Sequence, residues 1–301
     1  MYDAVLVPTD GSPEAEYAAQ YAVALADATG ATVHVLSVVD ESLYPRASVL
    51  SDDLVQESLE AAREEAGKAV DRVAEMVDPG TNVVTDVKQG VPAESIRAYA
   101  ADHGVDLVVM GTHGRTGLQR YFIGSVAEEV VRTADVPVLT VRRDTEEPAA
   151  TDISRVLVPT DGSDESMAAV DHAVDVAATY DATLHALYVV DQRALAAYYD
   201  AGPMIGDLID NLTSVGENAT EAVRERASER DVSVETAVLQ GIPAATIDEY
   251  AEENDVDLVV MGTHGRTGVE RYLLGSVTER VVRTSAVPVL TVRPAEPVVE
   301  E

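Results

Sequence analysis

The chain has 301 residues, no cysteine and a net charge of −33, carried by 54 acidic against 21 basic side chains. That balance excludes sequence-independent binding to DNA or to anionic membranes, which needs a basic face, and the missing thiols exclude disulfide staples and thiolate metal sites. No apolar run approaches the roughly 18 residues of a membrane span, and Met1-Tyr2-Asp3-Ala4-Val5 enters a strand pattern without a basic or apolar leader, so a soluble cytoplasmic protein is expected.

Apolar β-branched runs predict strands over residues 4–7, 32–39, 83–87, 107–110 and 136–141, and helical patterns fill 13–28, 53–77, 92–103 and 126–133 between them. Strands alternating with helices of this length predict a parallel sheet covered on both faces. Ser12 is expected to cap the first helix ahead of Pro13, Ser163 with Asp164 and Glu165 repeats the arrangement, and Ser125 and Ser276 read as further N-caps. Pro92 and Pro243 each open a helix after a glycine-containing turn. Residues 144–152 combine acids, proline and small residues without periodicity and read as a linker, and 295–301 read as a flexible tail.

The whole pattern occurs twice at a constant offset of 151. Val5-Leu6-Val7-Pro8-Thr9-Asp10-Gly11-Ser12 aligns with Val156-Leu157-Val158-Pro159-Thr160-Asp161-Gly162-Ser163, and between Val105 and Arg142 the copies agree at 30 of 38 positions. Identity at that level means a duplicated domain, 1–143 and 153–294, rather than a solenoid of short repeats. The copies differ most between the second strand and the second helix, where the second copy carries Tyr198-Tyr199 and Gly202-Pro203.

Gly111-Thr112-His113-Gly114-Arg115-Thr116-Gly117 recurs unchanged at 262–268, and both copies continue to Gly-Ser, as Gly124-Ser125 and Gly275-Ser276. The resulting G-x2-G-x9-G-S spacing supplies glycines where a backbone must approach a phosphate and a hydroxyl where a helix begins. In an open parallel sheet of order 3-2-1-4-5, ligands bind where the order reverses, so the turn Pro8-Thr9-Asp10 should meet the loop after Met110. Gly111, Gly114 and Gly124 are expected to permit unusual φ angles and close approach of backbone N–H groups to phosphate oxygens, and Arg115, Arg120, Arg266 and Arg271 to offset the acidic field. Asp10 and Asp161 suit a ribose hydroxyl or a metal-bridged phosphate. His34 and His185 read as packed strand residues, His103 and His172 as solvated helix residues, and Tyr121 and Tyr272 as packing. Neither a G-x4-G-K-[ST] loop, a G-x-S-x-G elbow nor H-E-x-x-H is present, and no general base with an oriented partner stands out.

These residues together resemble the universal stress protein family: Val-Pro-Thr-Asp-Gly-Ser, Gly-x-Pro at Gly90 and Gly241, and Val-Val-Met-Gly-Thr-His-Gly-Arg-Thr-Gly followed by Gly-Ser-Val, all present twice. The resemblance implies two tandem Rossmann-like α/β domains, each a five-stranded parallel sheet in 3-2-1-4-5 order, of the ATP-binding subclass. By carry-over it implies a nucleotide held by Pro8, Thr9, Asp10, Val38, Met110, Gly111, His113, Gly114, Arg115, Gly124, Ser125 and Val126. In the second domain the same roles fall to Pro159, Thr160, Asp161, Val189, Met261, Gly262, His264, Gly265, Arg266, Gly275, Ser276 and Val277. ATP, or AMP or ADP, with Mg2+ or Mn2+ is the expected ligand, and the last strands are expected to pair as an intrachain pseudo-dimer. A stress-response binding protein is expected; the alternatives are a slow ATPase or self-phosphorylating enzyme, and an interaction module with relic pockets. Acidic composition with only two lysines also resembles proteins of salt-accumulating halophiles such as haloarchaea.

Overall fold

The computed structural model describes residues 2–43, 52–114, 123–143, 151–193, 204–264 and 274–293. The chain divides into two compact units between Thr151 and Asp152. The first contains β1 (Ala4–Pro8), α1 (Pro13–Thr29), β2 (Thr32–Asp40), a 3-10 turn (Glu41–Leu43), α2 (Asp52–Ala74), β3 (Val83–Gly90), α3 (Pro92–Asp102), β4 (Leu107–Gly111), α4 (Ser125–Thr133) and β5 (Val138–Val141). The second contains β6 (Arg155–Pro159), α5 (Asp164–Tyr180), β7 (Thr183–Asp191), α6 (Met204–Ser228), β8 (Val234–Gly241), α7 (Pro243–Glu253), β9 (Leu258–Gly262), α8 (Ser276–Thr284) and β10 (Val289–Val292). Most of the 144–152 linker, the 295–301 tail, Tyr121, Tyr272, Tyr198, Tyr199, Gly202 and Pro203 lie outside the described residues.

Each unit is an α/β fold with helices on both faces of its sheet. Strand order is β3-β2-β1-β4-β5 in the first and β8-β7-β6-β9-β10 in the second, with every pairing within a unit parallel. Val5, Leu6 and Val7 are successive residues of β1 and all fully buried. Successive side chains point to opposite faces, so both faces of that strand must be covered. The strand starts share one device: Asp106, just before β4, accepts from the Asp3 and Ala4 amides, and Asp257 does the same for Ser154 and Arg155.

Helix α1 starts as its sequence dictates. Ser12 accepts the Ala15 amide at 3.2 Å and Pro13 occupies the first turn; Ser163 accepts the Ser166 amide in α5. Ser125 and Ser276 are not N-caps. Gly124 and Gly275 hold that position, neither start has a side-chain cap, and each serine is the first helical residue. Strand β5 starts at Val138 rather than 136, although the Pro137 carbonyl already accepts the Val108 amide. Helix α2 stops at Ala74, where amides of Met76 and Val77 turn back three residues to Val73 and Ala74.

His34 and His185 are buried strand residues, each sharing a hydrogen bond with a tyrosine hydroxyl of the next helix but one, Tyr99 and Tyr250, at 3.1 Å. His103 is exposed and stacks on Tyr99, whereas His172 is half-buried rather than solvated. Burial lowers the pKa of His34, with His103 adding to it, and burial lowers those of His185 and His172. A base with a depressed folded-state pKa leaves the unfolded chain to bind protons first, so stability falls as pH drops below about 6.5. Wild type is therefore expected to lose more urea stability between pH 7.5 and 5.5 than His34→Asn/His185→Asn, and parallel losses in both would contradict the assignment.

Candidate functional site

β1 and β4 are parallel neighbours, so the turn after β1 and the loop after β4 both leave the sheet at its carboxyl-end edge. Pro8 is the last residue of β1 in register with β2, opposite Leu36. The ladder then closes with the buried Thr9, whose amide donates to the Leu36 carbonyl at 2.8 Å. Thr160 donates likewise to Leu187 at 2.9 Å after Pro159. Strand β2 runs on to Asp40, paired with β3 alone on that stretch. Backbone direction alternates along a strand, so Val38 presents its amide and carbonyl to the same side as Leu36, now beyond the end of β1. Val189 stands in the same relation to β6.

The turn after β1 is built from its own side chains. Thr9 Oγ1 accepts the Gly11 amide at 3.1 Å and Asp10 Oδ1 accepts the Ser12 amide at 3.0 Å. Gly11 takes φ 75° and Gly162 φ 76°, a left-handed conformation that favours glycine. Asp161 Oδ1 receives both the amide and the hydroxyl of Ser163, at 3.0 and 2.6 Å. These bonds orient both carboxylates.

Met110 and Met261 are buried one residue before the strand ends. The glycines that follow serve close approach, not unusual φ: Gly111, Gly114 and Gly124 all lack a left-handed φ. A Cβ at Gly111 would stand 2.9 Å from the Glu14 carbonyl oxygen, and one at Gly262 would stand 3.0 Å from that of Glu165. A Cβ at Gly114 would stand 2.5 Å from Asp10 Oδ2, so the two loops do meet. Gly124 donates its amide to Thr112 at 2.7 Å and a Cβ there would stand 3.3 Å from the same oxygen; Gly275 repeats the packing on Thr263. Arg115, Arg120, Gly265, Arg266 and Arg271 lie outside the described residues.

His113 lies in the loop after β4. Its Nδ1 shares a 3.0 Å hydrogen bond with Thr112 Oγ1, and His264 pairs with Thr263 at the same distance. In both copies Nε2 is buried with no hydrogen-bond partner among the described residues. A buried ring nitrogen left without a partner would cost roughly 1–3 kcal/mol, and among the described residues both units carry one at this position. The Cα of His113 lies against Gly124, beside a helix start whose first amides have no side-chain cap. Ser125 and Ser276 are exposed there, and Val126 and Val277 partly so. The threonines that orient the histidines were missed as site residues; their position directly before each histidine was the available signal. Thr278, which donates to the Gly262 carbonyl at 2.8 Å where the first unit has Ala127, carried no such signal.

The backbone of Val38, the Asp10 carboxylate, the buried imidazole nitrogen of His113 and the uncapped start of α4 all lie at the carboxyl-end edge of the sheet. No group of three or more His, Asp or Glu among the described residues is arranged to hold a metal. No helix among them is long and apolar enough to cross a membrane.

The model of the universal stress protein family matches residues 1–142 and again 153–293. The chain belongs to the universal stress protein family. It is 31% identical over 305 residues to a Mycolicibacterium smegmatis universal stress protein, covering 96% of this chain and 97% of that one. A Methanocaldococcus jannaschii universal stress protein is 43% identical over 141 residues, covering 46% of this chain and 81% of its own. A solved universal stress protein from Archaeoglobus fulgidus superposes with TM-score 0.70 at 23% identity, covering 98% and 97% of the two chains, and shares the fold.

Proposed function

We propose that this universal stress protein binds an adenine nucleotide, ATP or else ADP or AMP, in each unit, and acts in stress response through nucleotide-dependent conformation or partner binding. The observation that carries the proposal is the buried, unpartnered Nε2 of both His113 and His264, each beside an uncapped helix start. A phosphate or ribose oxygen there would satisfy the ring nitrogen and the first helix amides together. Val38 and Val189 would read the base, and Asp10 and Asp161 would accept from ribose hydroxyls. Pro8, Thr9, Met110, Gly111, Gly114, Gly124, Ser125 and Val126 would shape the first pocket with Arg115. Pro159, Thr160, Met261, Gly262, Gly265, Gly275, Ser276 and Val277 would shape the second with Arg266. Mg2+ or Mn2+ would travel with the phosphates rather than in a protein cage.

Calorimetry in 2 M KCl is expected to show ATP binding with up to two sites per chain, reduced to one by Gly275→Val. Absence of heat and of competition by ADP or AMP would sink the proposal. Sustained magnesium-dependent ADP release above a Gly124→Val/Gly275→Val control would instead favour the enzymatic reading. A cytoplasmic, halophilic setting and pairing of the last strands within one chain belong to the same proposal. Further self-association of the chain through other surfaces belongs to it as well.

A further inference from the structure

The duplicated site turns are held in place by different forces. In the first unit Arg72 of α2 donates from Nε to Glu16 Oε1 of α1 at 2.6 Å and from a terminal nitrogen to the Gly11 carbonyl at 3.3 Å. One guanidinium thereby joins two helices to the turn that carries Thr9 and Asp10. The duplicate positions, 151 residues on, are Met167 for Glu16 and Val223 for Arg72, an apolar pair with Val223 fully buried. The nearest ion pair of the second unit, Arg226 with Asp171, joins the same two helices about one turn farther along.

The second unit anchors its turn from within. Ser166, where the first unit has Ala15, donates to the Ser163 carbonyl and shares a 2.9 Å hydrogen bond with Thr160 Oγ1, while Ser163 donates to Asp161. This hydroxyl chain is short-ranged, neutral apart from its carboxylate end, and partly buried. The Arg72 tether is half-exposed, with side-chain exposures of 43% and 29% for Arg72 and Glu16, so salt weakens it.

We infer that Arg72 is a positioning residue for the site turn of the first unit, acting through the Gly11 carbonyl, and that ionic strength therefore acts on the two sites unequally. The role of the turn in binding rests on the proposed function; the tether itself does not. Arg72 keeps the Gly11 carbonyl turned toward α2, which holds the Gly11 and Ser12 amides on Thr9 and Asp10 and so fixes where the Asp10 carboxylate points. Screening loosens that hold in the first unit and leaves the hydroxyl chain of the second unchanged.

Amide hydrogen exchange on the full chain without nucleotide tests the tether. At 0.2 M KCl, Arg72→Gln is expected to speed exchange in residues 11–15 roughly two- to fivefold, the range of a half-exposed ion pair. Residues 162–166 should be unaffected, Arg72→Lys should fall between, and the difference from the parent should shrink at 3 M KCl. Unchanged exchange in Arg72→Gln, or an equal change in both turns, would overturn the inference. Glu16→Met/Arg72→Val installs the apolar pair of the second unit and guards against misfolding; it is expected to make the first turn as indifferent to salt as the second. Nucleotide titrations on the same variants separate the two ideas. An exchange effect with no nucleotide binding in any variant, parent included, would remove the proposed function and leave the tether standing, whereas binding with an affinity ratio of the two sites independent of Arg72 and of KCl would overturn the positioning role.

Discussion

Gly114→Val is expected to weaken nucleotide binding in the first unit by about 100-fold or more while leaving its melting temperature nearly unchanged, whereas Gly111→Val should lower that melting temperature by on the order of 10 °C. The two glycines sit three residues apart in one motif and meet different neighbours. A Cβ at Gly111 would press on the Glu14 carbonyl at 2.9 Å and the His113 carbonyl at 3.2 Å. Both are backbone atoms, one in α1 and one in the loop directly after β4, so the strain stays in the fold, at about 3 kcal/mol. A Cβ at Gly114 meets the Asp10 carboxylate at 2.5 Å, and a side chain can rotate away. The carboxylate then leaves the position proposed to accept the ribose, and a loss of ~2.7 kcal/mol in binding is a factor of 100. Calorimetry and thermal melting on both variants check the contrast. Equal damage to stability in the two, or full affinity in Gly114→Val, would show that the motif is a turn rather than a cradle.

Raising KCl from 0.1 to 2 M is expected to lift the melting temperature by on the order of 10 °C. A net charge of −33 on 301 residues places like charges within a Debye length of ~10 Å at 0.1 M, and that length shrinks to ~3 Å at 1 M. Most ion pairs of the described residues are exposed, as with Lys68 and Glu64 at 51% and 71%, so they supply little offset at any salt. At ~2–4 °C per kcal/mol for a unit of this size, the shift corresponds to roughly 3 kcal/mol of repulsion removed. A melting temperature that does not move across the range would remove the halophilic reading.

The sheet was legible because the duplicated apolar runs are short, β-branched and separated by helical lengths, and one strand order then brings the two repeated motifs together. The meeting of Asp10 with Gly114 follows from that order alone. Local detail was less legible. Glycine next to serine at a helix start leaves the cap ambiguous by one residue, and the backbone gives it to Gly124, with Ser125 inside the helix. The motif glycines suggested unusual φ as well as close approach, yet the left-handed residue of the site is Gly11, in the turn after β1, while Gly111 and Gly124 have the backbone of α1 and of Thr112 against them. Arg72 could not be read from its surroundings: it is one of many charges on an exposed helix, and only the packing of α2 on α1 brings it to Gly11. The orphaned nitrogen of His113 likewise required burial to be known, because the same histidine with its Nε2 in water would carry no cost.

Denaturing the purified protein and identifying what it releases tests the central claim most directly. The account predicts an adenine nucleotide, at up to two per chain and reduced by Gly114→Val. A protein that releases none, and that takes up no ATP, ADP or AMP after removal of any bound ligand, would contradict it.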